Sequence, residues 1–293
     1  MRRLFFACPF VMLVPMAGRN LRAAIVLLLC LFFTIGALRA QTPTKTKIGA
    51  AVTVLDFGSW RAIQKGAEYR KIVLDRSDPN YAVELKLLRF DPKAIAPRIL
   101  HSGNFQLKSA TVQTFAEKSG TIAAINANYF DEKGRPLAYL KTANQEINRI
   151  VSRHALYTGV FGLRDGSPFI MHRDAFQPDL ASEALQSGPL LLNHGAPVEI
   201  MRGLGRFARR AVVGIDREGR VIIGVTDVVL GGLSFSELQE LFLNAKAHLD
   251  TSDLLNLDGG GSAQLYLKAG KFEDWVAGTT EVPVAIGFFA KVN

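Results

Sequence analysis

Seven consecutive residues, Asn256-Leu257-Asp258-Gly259-Gly260-Gly261-Ser262, gather a side-chain amide, a carboxylate, a hydroxyl and a run of bare backbone. An apolar stretch leads in and Ala263-Gln264-Leu265-Tyr266-Leu267 leads out, so the carboxylate falls at a strand end. Three successive glycines are entropically costly to order. They are tolerated where backbone turns sharply or lies close to a ligand. Such a set suits a reaction centre for a polar substrate. The same residues also make a tight hairpin between two strands, and the heptapeptide alone does not separate the two readings.

Several other chemistries are excluded by spacing. Ser262 is followed by Ala263-Gln264, which breaks the Gly-x-Ser-x-Gly pattern of a nucleophile elbow. Gly203-Leu204-Gly205 lacks the third glycine of a dinucleotide fingerprint, and no glycine loop ends in Lys-Ser/Thr. The five histidines (101, 154, 172, 194 and 248) show no metal-ligand spacing. Both cysteines, Cys8 and Cys30, precede residue 41, so the remainder is neither a thiol enzyme nor a cysteine-ligated zinc protein. No cofactor is expected; a divalent cation stays open, although nothing in the sequence indicates one.

The elements that position the heptapeptide are short. Tyr69–Leu74 and the period-two segment Tyr81–Leu87 read as strands around the turn Ser77-Asp78-Pro79-Asn80. Residues 109–119 carry Val112, Phe115 and Ala116 at helical spacing, closed by Gly120. A buried strand over 121–125 then delivers Asn126-Ala127-Asn128-Tyr129-Phe130-Asp131. Strands follow near 155–163, 168–172 and 190–192. A hairpin over 211–225 turns at Asp216-Arg217-Glu218-Gly219. The spacing predicts a helix over 233–246, opened by the capping box Ser234-Phe235-Ser236-Glu237. Strands at 254–257, 264–267 and 284–290 complete the pattern. Many short strands with two or three helices point to one α+β domain of mixed or antiparallel sheets flanked by a few helices.

Residues 1–40 hold five arginines and no acid. The uncharged run Ala23–Leu38 follows Arg19 and Arg22, and small residues precede Gln41. This reads as a signal peptide or a retained N-terminal anchor, with Met16 as an alternative start. The expectation is an exported protein, periplasmic or extracellular, meeting the membrane only through an uncleaved leader. Much of the formal charge of +9 therefore belongs to the leader. Beyond it, 30 basic residues face 26 acidic ones, with no basic stripe of the kind that binds nucleic acid. Residues 41–64 read as linker and lead-in, and 65–293 as the folded domain.

Taken together, several segments resemble the phosphodiester glycosidase family. Ala124–Asp131 is similar to its Ile-Asn-x-Gly-Tyr/Phe-Phe segment, and Ser187-Gly188-Pro189-Leu190-Leu191-Leu192 to its Gly-Pro segment. Arg210–Asp216 is similar to Arg-Thr-Ala-Ile-Gly-Ile-Asp. Gly232-Leu233-Ser234 with the helix after it, followed by Asn256–Ser262, is similar to the family's Gly-Leu-Thr helix and Asn-Leu-Asp-Gly-Gly-Gly-Ser signature. The likeness runs from about residue 65 to 290. Asn128 stands where the family has glycine, a position that asparagine tolerates next best if φ is positive. Ala211 stands where the family has threonine, and Val282-Pro283 lacks the arginine often found before that proline.

The resemblance implies hydrolysis of a sugar–O–phosphate link in a carbohydrate phosphodiester. On that reading Asp258 is nucleophile or general base, and Arg210 clamps the phosphate in bidentate fashion. The N–H groups of Gly259, Gly260 and Gly261 form an anion nest beside the Ser262 hydroxyl. Asn126 and Asn256 orient the sugar, Tyr129 stacks on it, and Gly188 shapes the pocket. A glycosidase ordinarily uses two carboxylates. Asp227 is the candidate for the second, and Asp131 is a weaker one that reads as a turn cap. Two further readings stay open on the same fold: a non-catalytic carbohydrate-binding or polysaccharide-assembly protein, and a phosphodiesterase in which Asp258 holds a metal.

Overall fold

The computed structural model describes residues 45–291 except 202 and 205. The leader read at 1–40 lies outside them. Lys45–Asn293 forms one compact unit.

Three sheets build the domain, and every pairing among the described strands is antiparallel. The largest has ten strands. Its order is Thr46–Ile48, Val52–Asp56, Ala67–Ser77, Asn80–Phe90, Val221–Asp227, Ala211–Asp216, Thr251–Asn256, Leu190–Asn193 and Ala196–Pro197, with Arg61–Gln64 paired to Ala67–Ser77. A second sheet runs Phe272–Val276, Leu265–Ala269, Ala123–Asn126, Val284–Ala290, Ile95–His101. The third runs Ser167–His172, Gly159–Arg164, Glu183–Ser187, Leu140–Thr142, Gln145–Asn148.

Among the described residues, two α-helices, α1 (Val112–Ser119) and α2 (Phe235–Leu243), pack on these sheets. The antiparallel sheets and few helices follow the expectation, but the balance lies closer to all-β than α+β implies. The predicted 233–246 helix stops at Leu243. Asn244 leaves helical backbone and its side chain caps a short 3-10 turn, accepting from the Lys246 N–H at 3.0 Å. At the other end the capping box is present, with Ser234 Oγ accepting from the Glu237 N–H and Glu237 accepting from the Ser234 N–H.

The lead-in at 41–64 is not linker throughout. Thr46–Ile48, Val52–Asp56 and Arg61–Gln64 are strands of the large sheet, and Ile48, Val52 and Val54 are buried in its core. Those few apolar positions are spaced among polar ones, which masks the strand pattern. The helix at 112–119 is as expected, with Thr111 as N-cap and Gly120 as a left-handed C-cap.

Period-two alternation explains the layering. In Asn80–Phe90, Val83, Leu85 and Leu87 face α2, whereas Leu88 and Phe90 face the space between the sheets. That inner core joins all three sheets, with Val213, Ile223 and Leu255 from the largest, Ile125, Ile286 and Phe288 from the second, and Leu140, Phe161 and Leu185 from the third. Strands buried on both faces read as continuous apolar runs, as Ala211-Val212-Val213 and Val221-Ile222-Ile223 do.

Candidate active site

Asp258 lies where strand ends of the three sheets converge. Thr251–Asn256 leads into it from the large sheet. Its N–H donates to the Ala127 carbonyl (2.9 Å), just past Ala123–Asn126 of the second sheet. Asn126 Nδ2 donates to the Asp258 carbonyl (2.7 Å), and Asn126 Oδ1 accepts from the Gln264 N–H (3.0 Å). Asn256 Nδ2 donates to the Gly188 carbonyl (2.9 Å) just beyond Glu183–Ser187 of the third sheet, to Leu257 O (2.6 Å) and to Tyr129 Oη (3.0 Å). Both asparagines are completely buried. Their amide nitrogens fix the backbone around Asp258, while Asn256 Oδ1 is buried without a hydrogen-bond partner.

Two N–H groups of the glycine run are used within the protein. The Gly259 N–H donates to Asp258 Oδ1 itself (2.9 Å), and the Gly260 N–H to the Arg209 carbonyl (2.9 Å). Gly261 is the one of the three whose N–H is not drawn into these contacts. A β-carbon on Gly259 would lie 2.7 Å from Arg209 O, so close backbone approach is the reason for glycine there. Ser262 is buried and hydrogen-bonds the Asp258 carboxyl, so its hydroxyl serves the carboxylate first.

Burial pushes the Asp258 carboxyl up to about 6, against the lowering effect of the Ser262 and Gly259 hydrogen bonds. A carboxylate with few solvating partners is expected to behave so. Its charge is felt by two tyrosines. Burial first, and Asp258 second, hold the Tyr129 and Tyr157 hydroxyls above the ordinary tyrosine range, so both stay protonated.

Arg210 is buried beneath this loop with its guanidinium 4.0 Å over the Phe235 ring. Nε donates to Leu233 O (2.7 Å) and Nη2 to Arg206 O. That edge of the fork is therefore spent on main chain, and the bidentate clamp expected of it is not available there. Nη1 instead faces the glycine run, 3.9 Å from where a Gly259 β-carbon would be. Burial lowers Arg210 to about 10, so it remains a cation at neutral pH.

Asp227 is not brought to Asp258. Its carboxylate pairs with Lys86 (3.0 Å), which also holds Asp274 (2.7 Å). Asp131 caps its own turn, accepting from the Lys133 and Arg135 N–H groups and from the Arg135 guanidinium. Among the described residues, neither candidate second carboxylate is hydrogen-bonded or paired at Asp258. Among the described residues no group of three or more His, Cys, Asp or Glu could hold a metal. Asn128 is buried and its φ is not positive, so left-handed tolerance plays no part in its replacing glycine.

Tyr129 is half-buried and its hydroxyl donates to Gly188 O (3.0 Å). Its ring packs against Tyr157 (5.5 Å between centroids), and Tyr157 stacks on the exposed His154 (4.1 Å). The aromatic wall therefore extends past Tyr129 to residues that sequence spacing did not mark. Gln186 holds them: its Nδ-equivalent Nε2 donates to Tyr157 O (2.8 Å) and Val151 O (2.7 Å), while Oε1 accepts from the Val151 N–H (2.9 Å). A buried glutamine next to Ser187-Gly188-Pro189 was the available signal. Replacing Tyr129 by Phe is expected to cost about 1–2 kcal/mol, the usual result of deleting one partner of a buried hydrogen bond. A urea midpoint would show it, with substrate affinity little changed because the ring remains.

This geometry brings one carboxylate, one buried cation and a pair of tyrosines together where strand ends of three antiparallel sheets meet. A family model described as phosphodiester glycosidase matches residues 119–289, more than half of the sequence. The chain belongs to the phosphodiester glycosidase family. Solved structures share its fold, among them two at 15% identity. One is the zebrafish N-acetylglucosamine-1-phosphodiester alpha-N-acetylglucosaminidase catalytic domain auto-inhibited by pro-peptide, at TM-score 0.60 and 15% identity, covering 83% of this chain and 89% of that one. The other is a hypothetical protein from Synechocystis, at TM-score 0.57 and 15% identity, covering 80% of this chain and 64% of that one. No curated protein sequence matches the chain.

Proposed function

We propose that this chain is an exported hydrolase that cleaves the glycosidic bond of sugar-1-phosphate diesters in envelope or extracellular glycans. One observation carries the reading: Asp258 is a buried carboxylate whose charge reaches Tyr129 and Tyr157, and the Arg210 cation acts on the same Tyr129 hydroxyl. Family membership supports the bond type. The arginine-rich, acid-free leader supports export.

A single carboxylate is sufficient if the leaving group is good. A phosphomonoester has a second pKa of about 6, so its departure needs little proton donation. The C1–O bond breaks with its electron pair going to the phosphate oxygen, and water supplies the new hydroxyl at C1. Asp258, ionised above about pH 6, acts as nucleophile or as base toward that water. Arg210 Nη1 offsets charge on the departing phosphate, and the protonated tyrosine ring edge borders the sugar.

The test is product analysis with an N-acetylglucosamine-1-phosphate ester. Free sugar plus intact phosphomonoester is expected. Sugar phosphate as product would mean phosphorus–oxygen cleavage and overturn the mechanism, and binding without turnover would favour the carbohydrate-binding alternative. In the same assay kcat/KM should rise tenfold per pH unit below about 6 and level off above it. A limb falling through that range would instead make Asp258 a proton donor.

A further inference from the structure

Three successive glycines give the segment after Asp258 little stiffness of its own, so residues outside it must hold it. Arg209 does so through three contacts. Its carbonyl accepts from the Gly260 N–H (2.9 Å) and would lie 2.7 Å from a Gly259 β-carbon. Its Nη2 donates to the Ala263 carbonyl (2.8 Å) and to the Ala277 carbonyl (2.5 Å). The contacts at Gly260 and Ala263 bracket Ser262, whose hydroxyl bonds the Asp258 carboxyl. The contact at Ala277 reaches a second segment, the exit of the Phe272–Val276 strand. Just beyond it, the Thr279 and Thr280 N–H groups donate to the Gly261 carbonyl (2.8 and 3.2 Å). One side chain thus pins the end of the glycine run and the backbone that lies against it.

The Arg209 backbone is fixed independently of its side chain. Ala208 and Leu233 exchange backbone hydrogen bonds (3.2 and 3.0 Å), and the Arg210 N–H donates to Thr226 Oγ1 (2.7 Å). The Arg209 side chain is half-buried, and its Nε has no hydrogen-bond partner. Burial disfavours the guanidinium charge, and the Asp227 carboxylate opposes that effect. Asp227 is also paired with Lys86 (3.0 Å), whose Nζ donates to the Trp275 carbonyl (3.1 Å). Two cations that share Asp227 therefore hold the carbonyls of Trp275 and Ala277, on the one segment that backs the glycine run. Catalytic groups work only when their support is held to a fraction of an ångström, and here that support converges on a single arginine.

We infer that Arg209 is a positioning residue for Asp258, fixing the glycine run against residues 277–280, with Asp227 supporting the Arg209 cation. This rests on the glycosidase reading above. Misplacing a reacting group by about 1 Å costs turnover on the order of 100-fold. On the full chain, Arg209→Met should lower kcat for an N-acetylglucosamine-1-phosphate methyl ester about 100-fold, with KM moved by no more than about threefold. KM is spared because Tyr129, Tyr157 and Arg210 are held by bonds that the Arg209 side chain does not make. Both donated bonds leave one nitrogen, and an ammonium likewise carries its donors on one nitrogen, so Arg209→Lys should bring kcat back to within about tenfold of wild type. Asp227→Asn should lower kcat about two- to fivefold, the scale of a part-exposed charge pair, and should add nothing in the Arg209→Met background. An unchanged kcat in Arg209→Met, or Arg209→Lys as slow as Arg209→Met, would overturn the inference and leave the glycosidase reading intact. So would a fall in kcat matched by an equal fall in folded protein, read by circular dichroism at the assay temperature, since Arg209 would then be structural alone. A loss of about a thousandfold in Asp227→Asn would return Asp227 to the chemistry and overturn its supporting role. No cleavage by the wild-type chain would overturn the glycosidase reading and this inference with it.

Discussion

Asp258→Asn is expected to lower turnover about a thousandfold or more and, at neutral pH, to make the protein more stable. Both follow from burial. The carboxyl is pushed up to about 6 in the folded chain from an ordinary 3.8. The folded state therefore holds its proton more tightly than the unfolded state does. Stability contributed by the neutral form is present below about pH 4 and is lost as the pH rises through about 6. Above that the charge costs about 3 kcal/mol, from a shift of roughly two units. Asparagine keeps an oxygen for the Gly259 N–H and Ser262 but carries no charge. Thermal unfolding at pH 7.5 should therefore rise by about 5–10 °C in the variant, with no gain at pH 4. A variant that is inactive and no more stable would mean that Asp258 is solvated in the native protein.

Gly188→Ala should be the most damaging small substitution near the site. Its φ is +155°, and a β-carbon would lie 1.9 Å from Leu156 O and 2.9 Å from the Thr158 nitrogen. Those are backbone atoms and cannot swing aside. The Gly188 carbonyl also anchors Tyr129 Oη and Asn256 Nδ2, so a shift there moves the support of Asp258. A loss of about 3 kcal/mol or more is expected from overpacking and backbone strain together, with turnover lost in parallel. Gly166→Ala is the control. Its φ is +75° but nothing lies within 4 Å of the added carbon, so only the left-handed penalty of about 1–2 kcal/mol applies. Equal losses at the two positions, read from denaturant midpoints, would show that the contact at Leu156 is relieved elsewhere.

Asp258 stood out in the sequence because of the three glycines after it. In the fold the Gly-Pro segment and Arg210 lie beside that same loop, through the Asn256 bond to Gly188 and the approach of Arg210 Nη1 to Gly259. The roles of individual groups were less legible, for one physical reason. A buried amide or guanidinium is claimed first by main-chain carbonyls, and which carbonyls lie near it depends on how the sheets meet. Asn126, Asn256 and most of Arg210 were spent in that way. Asp227 was drawn off by Lys86, a residue on the neighbouring strand in the sheet but distant in sequence. Tyr157 left no spacing signal, since the segment between residues 149 and 158 has no regular period. For the fold, period-two alternation identified most strands, whereas Thr46–Ile48 and Val52–Asp56 were too short and too mixed to stand out.

The bond from Asn126 Nδ2 to the Asp258 carbonyl spans 132 residues of sequence. Val284–Ala290 must also slot between Ala123–Asn126 and Ile95–His101 before the second sheet is whole. Contacts so far apart in the chain form slowly, because loop closure must precede the reward. The setting of Asp258 is consequently a late event in biogenesis. A polypeptide still emerging from a ribosome carries Asp258 without Asn126, Gly188 and the strands that hold it, so the site exists only once the whole domain has closed.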